Sequence, residues 1–531
     1  MANIYTGTSN STQGIESRYN SKAQAREVYL DRARDCSELT IPTLIPRDSS
    51  TSSEEFATTY QGIGARGVNN LASKLLLSLL PPNAPFFRLA IDNFAVREIE
   101  EDENLKTQID SGLVQIEKAV MDDIEMSNDR VVVFEALKHL IVAGNALLFV
   151  DKEGLRVFPL SQYVIERDPM GNVLEIITKE SIHYNALPDY VREQILKQQG
   201  DNKEDAICDL YTCVKRETDH FMVHQEVKGI QIKESYGKYK LDQSPYIPLR
   251  MVRISAENYG RSYVEEYQGD LVSLEGLTKA IVEGSSASAK TLFMVAPNGT
   301  TRAKALAESE NGAIIEGSAN DVSVLQVGKF ADFRVAQQSM VNIEQRLSYA
   351  FLLNASVIRD SERTTAEEVR MTAQELQDSL GGIYGVLSQE FQLPLVRRKL
   401  ALLSKTKKLP PLPKGIVFPK VITGIEALGR TTDRNKLIQF LQTLAGTLGA
   451  ESIAKFVNVT EAIKRLATAD GIETKGLIRS EEDLQAEQQA QQQSMMDEQQ
   501  QSAMLRAGEK IAGNIPPKTL SETIVKQSWE K

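Results

Sequence analysis

Residues 270–353 constrain the chain most, because they form two helix-patterned segments around a short strand-like insert. The first segment, 270–292, carries Leu271, Leu274, Ile281 and Leu292 near helical spacing and gathers five small residues in Ser285-Ser-Ala-Ser-Ala289. The second, 331–353, repeats Phe333, Ala336, Met340, Ile343, Leu347 and Ala350, a 3-4-3-4-3 spacing that lays a narrow apolar stripe along one helix face. Between them, 293–330 is broken at Pro297-Asn-Gly299 and holds strand-like runs, Gly312-Ala-Ile-Ile315 and Val322-Ser-Val-Leu325. Two largely polar helices with one thin stripe each bury little within one chain. The pattern therefore points to packing against copies of the same chain.

At 531 residues the chain is too long for one core, so several domains or subdomains are expected. The most apolar stretch, 71–80, contains Lys74 and stops at Pro81-Pro82, well short of the roughly 20 residues that span a bilayer. No membrane insertion is expected, and the N-terminus lacks the basic and apolar regions of a secretory signal. Three cysteines argue against a disulfide scaffold and fit a reducing compartment. Cys208 and Cys213, with His220 and His224 nearby, could be read as a zinc cluster, but Asp209-Leu-Tyr-Thr-Cys213-Val fits an alternating β-strand better. A net charge of −11 speaks against a general nucleic-acid binder, yet it does not exclude a protein that lets DNA slide past without holding it.

Along the chain, helices are expected at 17–36, 64–80, 98–125 and 130–144, the last buried and running into a strand at 146–150. A strand is expected at 86–90, and 155–255 alternates like an antiparallel sheet, with the turn Asp168-Pro-Met-Gly-Asn172 joining two strands. A capping-box spacing at Thr364-Thr365-Ala-Glu367-Glu368 starts a helix that runs to about residue 404, bent at Gly381-Gly382 and Pro394. The cations Arg397, Arg398, Lys399, Lys405, Lys407 and Lys408 sit where that helix ends, which suits its C-terminal dipole. Lys407-Lys-Leu-Pro-Pro-Leu-Pro413 is a stiff linker, and helical sequence follows, with a Gln-rich stretch at 488–501.

No catalytic, cofactor-binding or metal constellation emerges. Gly62-Ile-Gly64-Ala-Arg-Gly67 matches the dinucleotide fingerprint, but 52–60 is no buried strand, and Pro81-Pro-Asn-Ala-Pro85 stands where the ribose carboxylate belongs. Close helix packing accounts for these glycines better. The acidic run at Glu98, Glu100, Glu101, Asp102 and Glu103 points in successive directions around a helix and cannot converge on one metal. A nucleotide-binding enzyme and a pore-less coiled-coil scaffold stand as the alternative functional classes.

In order along the chain come Thr40-Ile-Pro-Thr-Leu-Ile-Pro46, Gly64-Ala-Arg-Gly-Val-Asn-Asn-Leu-Ala-Ser-Lys74, Phe134-Glu-Ala-Leu-Lys138 and Val142-Ala-Gly-Asn145. They continue with Pro245-Tyr-Ile-Pro248, Arg250-Met-Val-Arg253 and Tyr259-Gly-Arg-Ser-Tyr-Val-Glu-Glu-Tyr267. Thr365-Ala-Glu-Glu368, Leu380-Gly-Gly-Ile-Tyr384, Leu387-Ser-Gln-Glu390 and Leu393-Pro-Leu-Val396 complete the set. Together these blocks resemble the portal, or head-to-tail connector, proteins of T7-like short-tailed bacteriophages.

The resemblance implies an α+β, predominantly helical portal fold assembled as a ring around a central channel. It divides the chain into a wing (1–269), stem helices (270–292 and 331–353), a clip (293–330), a channel loop (354–363), a wing return with the long bent helix (364–430) and a helical crown (431–531). It implies no enzymatic activity and no cofactor. Function follows as a twelve-subunit channel at one capsid vertex, through which double-stranded DNA is packaged and ejected. The partners implied are the terminase, the tail adaptor, the major capsid and scaffolding proteins and internal core proteins. The expected location is the virion, with host cytoplasm during assembly. Arg359 and Arg363 are expected to face DNA in the channel loop. Asn298, Gly299 and Arg302 would form the docking clip, and Leu274, Ile281, Phe333, Met340 and Leu347 the stem seams.

Overall fold

The computed structural model describes residues 14–47, 58–82, 85–90, 103–199, 207–288, 292–310, 312–325, 330–353, 382–406, 420–423 and 429–448, with isolated positions outside these stretches. Two compact units divide the chain, Met1–Gly429 and Arg430–Lys531. The first opens with helices α1 (Ile15–Glu38) and α2 (Ile63–Leu79), strand β1 (Phe87–Ala90), and helices α3 (Glu103–Met126) and α4 (Asp129–Ala143). These agree with the four expected helices and the strand to within two residues at each end, except that the expected start of the third helix at 98, with the acidic run at 98–102, lies outside the described residues.

Helix α4 is apolar almost all round, and Leu137, Leu140, Ile141 and Val142 are at most 2% exposed. A helix of that composition belongs inside a protein, and each such side chain contributes roughly 1.5–3 kcal/mol by leaving water. It ends at Gly144, whose φ of 74° is left-handed. A Cβ there would lie 2.4 Å from the Arg261 carbonyl carbon, so both conformation and space require glycine. The chain turns directly into β2 (Asn145–Asp151), and the Asn145 side chain grips the Gly260 backbone in both directions, at 2.8 and 2.7 Å.

The expected sheet region holds two sheets rather than one. Strands β2, β3 (Gly154–Phe158) and β9 (Tyr246–Arg250) form a three-stranded antiparallel sheet with β2 central. Strands β4 (Tyr163–Arg167), β5 (Val173–His183), β6 (Ile207–Arg216), β7 (His220–Val227) and β8 (Ile230–Lys240) form a second, in sequential order. The turn at 168–172 joins β4 to β5 as expected, closed by Asn172 N–H donating to Asp168 Oδ1 at 2.8 Å. Helix α5 (Asp189–Gln199) interrupts the strands and is missed by a period-2 reading. Leu187, Val191 and Ile195 recur at four-residue spacing and cover Cys208, Val227, Ile230 and Ile232 on the sheet. Cys208 and Cys213 both lie in β6, but on opposite faces, in two separate apolar clusters. Burial pushes the Cys213 thiol up to about 12, so it stays protonated. The strand reading of this region stands.

Ion pairs fasten α1 to the second sheet. Arg18 and Lys22 both pair with Glu175 on β5, the Lys22 contact being 2.9 Å. Burial alone would raise the Glu175 carboxyl, but the Lys22 hydrogen bond and charge, with Arg18, bring it below its ordinary value.

The return segment contains helix α10 (Ile383–Leu387), a π-helical turn (Ser388–Gln392) and helix α11 (Leu393–Lys405), between the stem described below and β12 (Lys420–Thr423), which pairs antiparallel with β1. Gly382 has a φ of 95° and marks a break, while the wider i→i+5 bonding just before Pro394 accommodates a residue with no N–H. The bend expected at the proline is therefore absorbed as a π-turn. The capping box at 364–368 lies outside the described residues. Of the basic cluster, Lys405 lies in the last turn of α11 as expected, Lys407 and Lys408 lie outside the described residues, and two others are placed differently. Arg398 and Lys399 are buried in the middle of α11, away from its C-terminus, because each has partners in the core. Lys399 Nζ meets Asp129 at 2.7 Å and Asp123 at 2.9 Å, bolting α11 to α4 and α3. Arg398 Nε donates to the Val150 carbonyl at 3.2 Å, with its guanidinium over the Tyr239 ring.

The second unit carries helix α12 (Gly429–Leu448), with Phe440 more than half exposed. Among the described residues no helix is long and apolar enough to cross a membrane.

His139, on α4, is 4% exposed, and burial lowers its imidazole to about 4 from 6.5. The fold therefore holds the neutral form. Its contribution to stability is complete above about 6.5 and is lost as pH falls towards about 4. Replacing His139 with leucine is expected to flatten that part of the melting temperature's pH dependence, measured by circular dichroism.

Candidate functional site: the stem and clip

The segments expected to form the stem are helix α7 (Gln268–Ser288) and helix α9 (Phe330–Ala350), packed against each other; stem, clip and wing are used below as names for the segments so expected. Leu271, Leu274, Ile343 and Leu347 lie between them and the wing, with Leu271, Leu274 and Leu347 fully buried. Periodicity assigned Leu274, Ile281, Met340 and Leu347 to seams between copies. The structure uses Leu274 and Leu347 inside the chain instead, because the two stripes face one another and the core at the stem's root. Ile281 and Met340 are half-buried, and the side chain of Phe333 lies outside the described residues. Apolar groups with no cover stand on the outward faces, namely Val272, Val282, Val335, Val341 and Tyr349, between 41% and 71% exposed.

Where the stem meets the wing, the end of α9 is clasped. Phe351 is fully buried and sits edge-on to Tyr263, which lies in the short helix α6 (Tyr263–Glu266). Gly67 of α2 lets the Phe351 ring approach so closely that a Cβ would fall 2.6 Å from it. Asn70, one turn further on, donates Nδ2 to the carbonyls of Phe351 (2.9 Å) and Leu352 (3.1 Å), while the Tyr263 hydroxyl donates to that of Ala350 (2.9 Å). Leu352 adopts a φ of 53°, a conformation held by these bonds. Three carbonyls that a helix C-terminus leaves unmatched are thus satisfied by the wing. On the other stem helix, Glu275 accepts the backbone N–H groups of Tyr60 and Gln61 at 2.9 and 3.1 Å.

The helix-packing explanation of the glycine motif holds. Gly64 faces the Leu39 carbonyl, where a Cβ would be 2.5 Å away, and both Gly64 and Gly67 lie within α2 rather than in a phosphate-cradling loop. The asparagine clasp was not legible, since nothing local distinguishes Asn70 from any polar helix residue.

At the far end of the stem, β10 (Leu292–Val295) pairs antiparallel with β11 (Val322–Leu325). Leu292, read as the last stem residue, is instead the first of this strand, opposite Leu325. Val322–Leu325 is a strand as expected, whereas 312–315 forms none, and Ile314 stands fully exposed. Between the strands runs helix α8 (Ala303–Glu308). Asp321 ties the tip together by accepting from Thr300 Oγ1 (3.0 Å), Thr301 N–H (3.1 Å) and Thr301 Oγ1 (3.2 Å). These donors hold its carboxyl below the usual range, the Thr301 N–H first among them. Gly299 is required beside it, because a Cβ would lie 2.5 Å from the Asp321 carboxyl carbon. Of the expected docking residues, Asn298 and Arg302 are exposed on this tip and Gly299 is half-buried beneath it. Arg359 and Arg363, the expected channel residues, lie outside the described residues.

Comparison with known proteins identifies the family. A family model described as "Bacteriophage head to tail connecting protein" matches residues 12–478. The portal protein of Escherichia phage T7 is 41% identical over 529 residues, 98% of each chain. That of Enterobacteria phage T3 is 43% identical over 480 residues, 89% of each chain. Among solved structures, a chain from the neck of an empty GTA particle is 12% identical and aligns with a TM-score of 0.34, covering 78% of this chain and 90% of that one.

The Asn70→Ala substitution removes two hydrogen bonds from the end of α9 and is expected to destabilise the protein by about 1–2 kcal/mol. Hydrogen exchange would show the loss at the amides of 351–353, with α4 still protected.

Proposed function

We propose a ring-shaped conduit as the role of this chain, which belongs to the bacteriophage head-to-tail connecting protein family. The relatives are portal proteins, and this chain is the corresponding head-to-tail connector of a phage particle, located at the capsid vertex. In the proposed assembly, twelve copies, the number the family resemblance implies, surround a channel for double-stranded DNA. The stem helices form the wall, the clip faces the terminase and later the tail adaptor, and 431–531 forms the crown. Capsid, scaffolding and internal core proteins would meet the outer surfaces, and assembly would take place in host cytoplasm.

The observation that carries this reading is the stem's division of labour. Its inner stripe is filled by the chain's own core, and its outward valines remain uncovered. Head-to-tail association through two different faces of one subunit closes into a ring, and such exposed apolar groups suit the contact. A net charge of −11 fits a conduit, since attraction along a whole channel would brake DNA. Arg359 and Arg363, which directly follow the clasped end of α9, are proposed to touch phosphate.

Negative-stain microscopy of the purified protein is expected to show rings with a central hole, and rods or compact monomers would sink the proposal. Val341→Asp should abolish rings while the circular dichroism spectrum stays native. Replacing both Arg359 and Arg363 with alanine should leave rings intact and lower DNA retention. If rings fail to form in that variant, the arginines are structural.

A further inference from the structure

Two backbone irregularities far apart in sequence converge on one cavity of about 330 Å³. The first is a β-bulge between Glu166 and Arg167 at the end of β4, and the second is the π-turn that carries Glu390. Bulges and π-turns re-aim side chains, and both recur beside functional sites. Here they turn Arg167 and Glu390 into the same space, with Arg216 from β6 and Arg397 from α11 lining it.

The charges do not balance. Arg167 donates to three neutral carbonyls, those of Asn258 (3.2 Å), Gly171 (3.0 Å) and Pro248 (3.2 Å), which leaves two of its donor hydrogens uncommitted. Glu390, the carboxylate nearest to it, is bound to Arg250, which is 2% exposed. Burial first, then the neighbouring Arg250, lowers Arg167 to about 10, with Glu390 acting in the opposite direction. Arg253 lowers it further while donating to the Met170 carbonyl. Arg216 and Arg397 make no ion pair within 4.0 Å among the described residues. Of the other carboxylates here, Asp168 accepts two hydrogen bonds from Asn172 and offsets part of the Arg216 charge from beyond ion-pair distance, and Asp242 is exposed. Phe221 and Tyr246 supply an apolar wall, each 8% exposed.

We infer that this cavity binds a small phosphate-bearing molecule, its phosphate between Arg216, Arg397 and Arg167 and its apolar part against Phe221 and Tyr246. Guanidinium groups from three separate elements can surround an oxyanion with paired donors, which lysines cannot do. A volume of about 330 Å³ fits a mononucleotide-sized ligand and excludes a duplex, so this site is separate from the proposed channel. Bound phosphate would tie the five-stranded sheet to α11.

The test is calorimetric titration of the full-length protein with inorganic phosphate and with adenosine monophosphate, at fixed ionic strength. Both are expected to bind, the nucleotide more tightly. The Arg216→Gln, Arg397→Gln double variant should bind each at least about tenfold more weakly, a change of ~1.4 kcal/mol, with its ligand-free melting temperature unchanged. No binding by the parent protein, or equal affinity in the double variant, overturns the site. Free phosphate binding as tightly as the nucleotide overturns the assigned apolar contact.

Discussion

The structure depends on the stem being rooted in the same apolar core as the wing. Leu271, Leu274, Ile343, Leu347 and Phe351 belong to the cluster that also holds α2, α4 and the three-stranded sheet. Protein interiors are close-packed and transmit displacement rather than absorbing it, so the stem helices cannot tilt without moving α2. Gly67 and Asn70 make that connection directional, since one admits the Phe351 ring and the other fixes the carbonyls beyond it. The backbone of 351–353 is consequently held in one defined conformation at the end of α9.

A second layer of constraint comes from buried and half-buried cations that act across elements. Lys399 joins α11 to α3 and α4, Arg250 joins β9 to the π-turn, and Arg18 with Lys22 joins α1 to β5. Such pairs add little net stability over well-packed apolar groups, but breaking one leaves an uncompensated charge in the interior. Their value lies in register, because each holds two elements at a single relative position. α2 is tied at both ends, since Tyr384 and Gln392 donate to the carbonyls of Ser78 and Leu79 while its N-terminal half clasps the stem. The return segment and the stem thus share one rigid intermediary.

Much of this was legible in the chain. The buried helix before Gly144, the turn at 168–172, the strand around Cys213 and the two stem helices follow from periodicity and turn chemistry, which act over a few residues. Helix α5 was hidden because its two core side chains, Val191 and Ile195, sit inside a region of alternating pattern, and the single sheet expected there divides in two. The cations of 397–399 were misplaced for a related reason, since their partners Asp123, Asp129 and the Val150 carbonyl are distant in sequence. At the clip, Gly299 was identified but its partner Asp321 was not, because the contact spans a whole helix and its flanking turns.

By itself the sequence determined most of the order of elements and membership of the head-to-tail connecting family, whose blocks extend over most of the chain. Those are local or inherited properties, carried by spacing and by residue type. Tertiary structure alone decided which apolar stripe is used within the chain and which remains outward. Leu274 and Leu347 have the same residue type and spacing as a seam between copies, yet they close the stem on its own core. Periodicity reports that a face is apolar, whereas only the packed fold reports what already covers it.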